Sequence, residues 1–116
     1  MAENLSRKTA VELASKIASR AVSPVEVLDA HLATIARVNP KLNAIVTLVA
    51  DAARAAAKDA EAAVMRGDTL GALHGLPVAI KDITATAGIR TTYGSPLLKD
   101  NIPTEDNILG IQEFSA

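Results

Sequence analysis

The lysine at position 81 is the side chain of this sequence best suited to acid–base chemistry. It follows the short apolar run Val78-Ala79-Ile80, within the segment GALHGLPVAIKD at residues 71–82. If that run is a buried strand, desolvation disfavours the charged form of an amine at its end and lowers the pKa of that amine. A lysine that is neutral near pH 7 can act as a general base. The alternative is a solvated lysine that only marks the end of a strand.

Other polar residues near this segment are predicted to have structural roles. On a strand, Asp82 would point to the opposite face from Lys81. It is expected to accept N–H groups of the following loop. Ser95 lies between glycine and proline, which is ordinary turn chemistry, so we do not assign it as a nucleophile. His31 and His74 are also interpreted as structural, and Gly75 is expected to supply conformational freedom in φ before Pro77.

The motif around Lys81 resembles a known family of serine hydrolases. Its pattern GxLHGxPxxIKD, the segment TAGIRTTYGS at 86–95, and the segments VSPVEVL at 22–28 and VNPKLNA at 38–44 are similar to the amidase signature family. Members of that family cleave carboxylic amides with a nucleophilic serine, a second serine that has a cis peptide bond, and a lysine. The resemblance extends from about residue 9 to about residue 107 and implies that Lys81 is the lysine of this triad.

The sequence departs from the family pattern after the motif. In the family both triad serines lie further along, in a Gly/Ser-rich segment, and this sequence reaches Ala116 without one. Residues 108–116 echo a downstream family segment of the pattern IxGKTNxxEF but lack its KTN. We therefore expect a truncated or internally deleted N-terminal portion of an amidase, inactive alone. The alternative is a non-catalytic docking or assembly module derived from the same fold. The resemblance leaves the amide substrate open, and a role in transamidation on charged tRNA is neither included nor excluded.

Two helices are predicted before the first candidate strand. Apolar residues at helical spacing predict a first helix over residues 9–21. Ser23, followed by proline and then Glu26, has the capping-box pattern that starts a second helix. We expect this helix to stop at Asn39-Pro40, because the residue before proline avoids the α region.

Two segments are predicted to be buried strands. Residues 44–49 and 77–82 are short apolar runs rich in β-branched residues. An alanine-rich helix over 52–66 lies between them, and the order strand, helix, strand favours one sheet. The predicted fold class is α/β, with N-terminal helices and a βαβ-like unit that form a partial piece of the amidase signature mixed-sheet fold. We predict a single incomplete domain over 1–116. Residues 1–43 form its helical part, residues 44–82 its strand-helix-strand part, and residues 83–116 its irregular part.

Composition excludes several other classes of protein. Of the 116 residues 49% are apolar, with many alanines and only Tyr93 and Phe114 aromatic, which predicts a thin core. The net charge of −1 without a basic patch argues against nucleic-acid binding. We predict no cofactor, no metal and no membrane segment, and the lack of cysteine and of a signal peptide favours the cytoplasm. The expected partners are a small-molecule amide in a complete form and other copies of the chain, through unpaired strand edges.

Overall fold

Helices dominate the regular structure of this protein. The computed structural model describes residues 4–107. Three α-helices follow one another: α1 is Ala10–Ala18, α2 is Pro24–Leu42 and α3 is Ala50–Arg66. Short 3-10 turns precede and follow them, at Leu5–Arg7 and Pro96–Leu98. No helix within residues 4–107 combines the length and the apolar character needed to cross a membrane.

Both α1 and α2 begin with a complete capping box. The hydroxyl of Ser23 accepts the N–H of Glu26 at 3.1 Å, and the carboxylate of Glu26 accepts the N–H of Ser23 at 2.8 Å. Thr9 and Glu12 make the same reciprocal pair at the start of α1. Each box satisfies N–H groups that the first turn of a helix leaves without a partner. The predicted start of α2 is therefore confirmed.

The predicted end of α2 at Asn39-Pro40 is wrong. The helix continues through Pro40 to Leu42 and ends at Asn43, which has a left-handed φ of 48°. Pro40 lies in the last turn, where its missing N–H leaves the helix one hydrogen bond short, to the carbonyl of residue 36. The side chain of Asn39 then holds the exit of the chain, because its Oδ1 accepts the N–H of Ile45 at 2.9 Å and its Nδ2 donates to the Ile45 carbonyl at 3.0 Å.

Neither predicted strand is formed in this structure. Residues 44–49 and 77–82 have no strand pairing, and the only bridge among residues 4–107 is an isolated antiparallel one between Thr86 and Ile89. An extended segment becomes a strand only when a neighbour accepts and donates its backbone hydrogen bonds. Within the described residues these two segments find no such neighbour, so the βαβ-like unit is absent here while the predicted helices are present.

The described residues divide into two compact units. The first contains residues 4–45 and 50–77, and the second contains residues 46–49 and 78–107. The prediction of one incomplete domain over residues 1–116 stays a prediction. The core of the first unit consists of Leu5, Leu13, Ile17, Val27 and Val64, with Val22, Ala30, Leu70 and Leu76 packed around it.

The second unit is held together mainly by hydrogen bonds. Gly88 donates its N–H to the carbonyl of Pro103, and Asn107 donates to the carbonyl of Ala85. The carboxylate of Asp106 accepts the N–H of Ala87 at 2.7 Å. Loops of this kind follow the surface, where their polar backbone can be satisfied. Up to residue 107, the unit therefore fixes its backbone without a helix of its own beyond one short 3-10 turn.

Candidate active site

The loop that precedes Lys81 packs closely against the helices of the first unit. Gly75 has a φ of +79°, and a β-carbon added to it would lie 2.8 Å from Cγ of Pro24 and 3.2 Å from Cδ1 of Ile17. Nε2 of His74 donates to the carbonyl of Ala60 at 2.9 Å, which ties the same loop to α3. The structural role of His74 is confirmed, and the positive φ of Gly75 agrees with the freedom in φ that was expected of this residue. These contacts hold residues 74 and 75 of the motif against the helices of the first unit.

Lys81 itself lies at the surface of the second unit. Its side chain is exposed and makes no hydrogen bond or ion pair with any residue in the 4–107 range. Its carbonyl accepts the N–H of Thr84 at 2.9 Å, so Lys81 begins a tight turn. The run before it, predicted to be buried, is instead exposed: Val78 by 51% and Ile80 by 37%. The reason is that no described element covers this run.

Asp82 is the best-connected acidic group near the lysine. Its Oδ1 accepts the N–H of Thr92 at 2.7 Å, and its Oδ2 accepts the hydroxyl proton of Thr92. Its backbone carbonyl accepts the N–H of Tyr93 at 2.9 Å. The sequence predicted that Asp82 would accept N–H groups of the following loop, and this is confirmed. We call the hydrogen bonds between Asp82 and residues 92–94 the Asp82 clamp.

The clamp favours the ionised form of Asp82. The hydroxyl and then the N–H of Thr92 hold the pKa of this carboxyl below its usual value. Partial burial opposes this effect, while the N–H of Gly94 and the charge of Arg90 add to it. Hydrogen bonds donated to a carboxylate stabilise its charged form, which is the cause of the lowered pKa.

Thr91 and Thr92 are the buried polar residues that sequence reasoning missed. They are 3% and 7% exposed, although the sequence predicted only an irregular part over residues 83–116. Thr91 donates its hydroxyl to the carbonyl of Ile89 at 3.1 Å, and its N–H bonds the carbonyl of Asn101 at 3.0 Å. The resemblance of TAGIRTTYGS to a family motif was the signal that could have directed attention to these side chains.

Ser95 and His31 have the structural roles that the sequence predicted. The hydroxyl of Ser95 accepts the N–H of Leu97 at 3.3 Å and caps the 3-10 turn at Pro96–Leu98. Nδ1 of His31 lies 2.7 Å from the carbonyl of Val27, one helical turn back along α2. Among residues 4–107, no group of three histidine or acidic side chains is arranged to hold a metal ion.

Comparison with known sequences decides the family. A sequence profile described as Amidase matches residues 26–109, a range that includes Lys81 and the Asp82 clamp. The chain belongs to the amidase family. Its predicted membership of the amidase signature enzymes is thereby confirmed, and one solved relative is itself described as an amidase signature enzyme.

Relatives with differently named activities share this part of the amidase family. The chain is 47% identical over 103 residues to a glutamyl-tRNA(Gln) amidotransferase subunit of Acidothermus cellulolyticus, covering 89% of this chain and 20% of that protein. It is 36% identical over 107 residues to an acylamidase of Rhodococcus erythropolis, covering 92% of this chain and 22% of that protein. A bacterial aryl acylamidase of known structure superimposes with a TM-score of 0.77 and 35% identity, covering 82% of this chain and 20% of that one. The chain therefore spans about a fifth of the length of the relatives it matches.

Proposed function

We propose that these residues form the N-terminal part of an amidase that cleaves carboxylic amide C–N bonds, and that Lys81 is its base. The observation that carries the proposal is the family match over residues 26–109, which includes the whole of the Lys81 motif. The exposed side chain of Lys81, without a partner among the described residues, leaves its amine available to another group. A base must reach the proton that it removes, and an amine engaged in an ion pair could not do so.

Lys81 supplies only part of the chemistry that amide hydrolysis needs. The reaction requires a nucleophile, a base that takes its proton and donors for the developing oxyanion. By family resemblance, the lysine takes the proton of the serine that has the cis peptide bond. This serine in turn takes the proton of the nucleophilic serine. We place both serines outside these 116 residues. The 116-residue chain alone is therefore proposed to have no amidase activity.

We also propose that residues 44–49 and 77–82 become strands when the rest of an amidase domain is present. Val46, Val49 and Val78 are exposed large apolar side chains of these segments. Apolar β-branched residues of this kind are typical of strands that are covered on their faces. A covering sheet would also desolvate the end of the second segment, where Lys81 lies. The α/β fold would then be completed by residues that pair with these segments.

The alternative function is a docking or assembly module without catalysis. The first unit has its own core, and the second unit exposes the apolar residues just described, so the chain could serve as a binding piece. Among the relatives, one is named a glutamyl-tRNA(Gln) amidotransferase subunit and another is named an acylamidase. We propose a small-molecule amide as substrate of the complete amidase. The names of the relatives are compatible with more than one amide substrate.

The test is a chimera that restores a complete amidase. Residues 1–107 replace the matching N-terminal part of the Rhodococcus erythropolis acylamidase, and hydrolysis of an aryl amide such as 4-nitroacetanilide is followed. We expect turnover with Lys81 intact and a loss of about 10²–10⁴-fold in kcat for Lys81→Ala, the usual contribution of a general base. Lys81→Arg should be nearly as inactive, because a guanidinium stays protonated.

Controls separate the base from a general effect of charge. Lys99→Arg is the matched control, because Lys99 is another exposed lysine of the second unit and should keep the parent rate. The unmodified 116-residue chain should give no turnover. If Lys81→Arg kept more than about a tenth of the parent rate, a loss below about 1.4 kcal/mol of transition-state stabilisation, the base assignment would be wrong. A folded chimera without activity would contradict the proposal that these residues serve as part of an amidase.

A further inference from the structure

The Asp82 clamp joins the residue next to Lys81 to a distant turn. Thr92 donates both its N–H and its hydroxyl to the carboxylate of Asp82, so the two side-chain oxygens of Asp82 are both occupied. The hydroxyl of Thr92 in turn accepts the N–H of Gly94 at 3.3 Å. The backbone carbonyl of Asp82 accepts from Tyr93 at 2.9 Å. Side chain and backbone of Asp82 are therefore fixed to the same short segment.

The turn that supplies these donors has an unfavourable backbone conformation. Tyr93 has a φ of 54° and Gly94 a φ of 71°, so two successive residues are left-handed. Only glycine adopts this region without strain, and another residue there costs about 1–2 kcal/mol. The side chain of Tyr93 is 46% exposed, so its own packing does not explain the conformation. The hydrogen bonds of the clamp are what oppose the strain at Tyr93.

The same clamp holds the backbone next to Lys81. The carbonyl of Lys81 is held by the N–H of Thr84, and the next residue, Asp82, is held by Thr92 and Tyr93. The side chain of Lys81 has no partner within residues 4–107, so among the described residues only its backbone is held. A displacement of about 1 Å in a reacting group can reduce a rate by about 100-fold.

We propose that Asp82 is a positioning residue for Lys81, acting by clamping the backbone at residues 81–82 to the turn at Thr92–Gly94. This inference rests on the proposed role of Lys81 as base and assigns to Asp82 no contact with substrate. Its consequence is specific: loss of the clamp lowers kcat, because Lys81 is misplaced, and leaves KM nearly unchanged, because binding groups elsewhere are intact. A carboxylate that only stabilised the loop would change the stability of the second unit and leave kcat alone.

The sequence offers a matched set of variants to separate these roles. Asp82→Asn removes the charge of the acceptor, and Thr92→Val removes the hydroxyl donor but keeps the N–H. Thr92→Ser keeps both donors and should rescue the clamp. Thr91→Val is the control, because Thr91 is the adjacent buried threonine and bonds the carbonyl of Ile89 instead of Asp82.

The first measurement uses the 116-residue chain itself. Hydrogen exchange at the hydrogen-bonded amides of Thr84 and of residues 92–94 is followed by NMR in the chain and in each variant. We expect exchange at these sites to be about tenfold faster in Asp82→Asn and Thr92→Val, and unchanged in Thr92→Ser and Thr91→Val. If Asp82→Asn fails to fold, Thr92→Val decides. Parent-like exchange in Thr92→Val would overturn the inference.

The second measurement uses the acylamidase chimera described above. Asp82→Asn and Thr92→Val should lower kcat by about 10- to 100-fold with KM within about twofold of the parent. Thr92→Ser and Thr91→Val should keep the parent kcat. If Lys81→Ala is inactive while Asp82→Asn keeps the parent kcat, the inference fails and the proposed function stands. If Lys81→Ala keeps its activity, the proposed function fails, and the positioning role of Asp82 fails with it.

Discussion

Gly75 and Pro24 approach so closely that a β-carbon on the glycine would lie 2.8 Å from Cγ of the proline. This places the loop of the motif directly on the first turn of α2, whose start is fixed by its capping box. The capped helix start and the glycine therefore hold this loop together within the first unit.

We expect Gly75→Ala to be among the most destabilising single substitutions in the first unit. It combines a positive φ with a steric overlap, and we expect it to lower the free energy of unfolding by about 2–4 kcal/mol. Gly67→Ala is the matched control, since Gly67 has a φ of +77° and no atom within 4 Å of an added β-carbon. It should cost about 1 kcal/mol from the backbone alone. Equal losses of unfolding free energy in Gly75→Ala and Gly67→Ala, measured by urea denaturation, would show that the contact with Pro24 is not tight.

The capping box of α2 gives a second stability prediction. Ser23→Ala removes the acceptor for the N–H of Glu26 and should cost about 1 kcal/mol. Ser15→Ala is the comparison, because Ser15 is an exposed residue within α1 and alanine is the better helix former. That variant should be neutral or slightly stabilising. If thermal or urea unfolding showed that Ser15→Ala is as unstable as Ser23→Ala, the result would contradict the role of the cap.

The lowered pKa of Asp82 predicts a defined dependence of stability on pH. Because the folded-state pKa lies below the unfolded value of about 3.9, the stabilisation by Asp82 is complete well above that pH. It is lost as the pH falls through the lower, folded-state pKa. The difference in unfolding free energy between the chain and Asp82→Asn should therefore shrink towards zero in acid. A difference that persists unchanged at the lowest pH would contradict ionisation of Asp82 as its source.

Self-association of the isolated chain is the fourth prediction. The apolar residues of segments 46–49 and 78–80 are exposed, and segments without strand pairing can pair with other chains. Sedimentation velocity from about 1 μM to about 1 mM should show growing oligomers. Val78→Lys should suppress them, whereas Leu73→Lys, at a similarly exposed leucine outside these segments, should not. A monomer over the whole range with a sharp, cooperative thermal transition would count against this prediction.

The helices were predictable because their signals are local. A capping residue, a following proline and apolar residues at helical spacing lie within a few positions of one another, so Ser23 and Leu13 could be placed from sequence alone. The exception was Asn39-Pro40, because α2 continues past the residue before proline. There the side chain of Asn39 bonds the backbone of Ile45 and holds the chain as it leaves the helix. Local rules therefore predicted where α2 begins better than where it ends.

The strands and the clamp were harder to predict because they depend on distant partners. Residues 44–49 and 77–82 have the composition of strands, but pairing requires a neighbour that composition does not supply. Asp82 was correctly expected to accept loop N–H groups. Its partner Thr92 was not identified, because no local spacing connects residues ten positions apart in an irregular segment. The role of Lys81 was assigned from its motif, and it stays a prediction.

The division of the chain into two units has a consequence for the order of folding. Residues 46–49 belong to the second unit but precede α3, which belongs to the first. The second unit cannot close until residues 78 onward have left the ribosome, whereas the first has all its segments once residue 77 is available. At a synthesis rate of about 5–20 residues per second, residues 46–49 wait some seconds for the segments they join. A chaperone that protects nascent chains would therefore meet this short apolar segment before its own unit has formed.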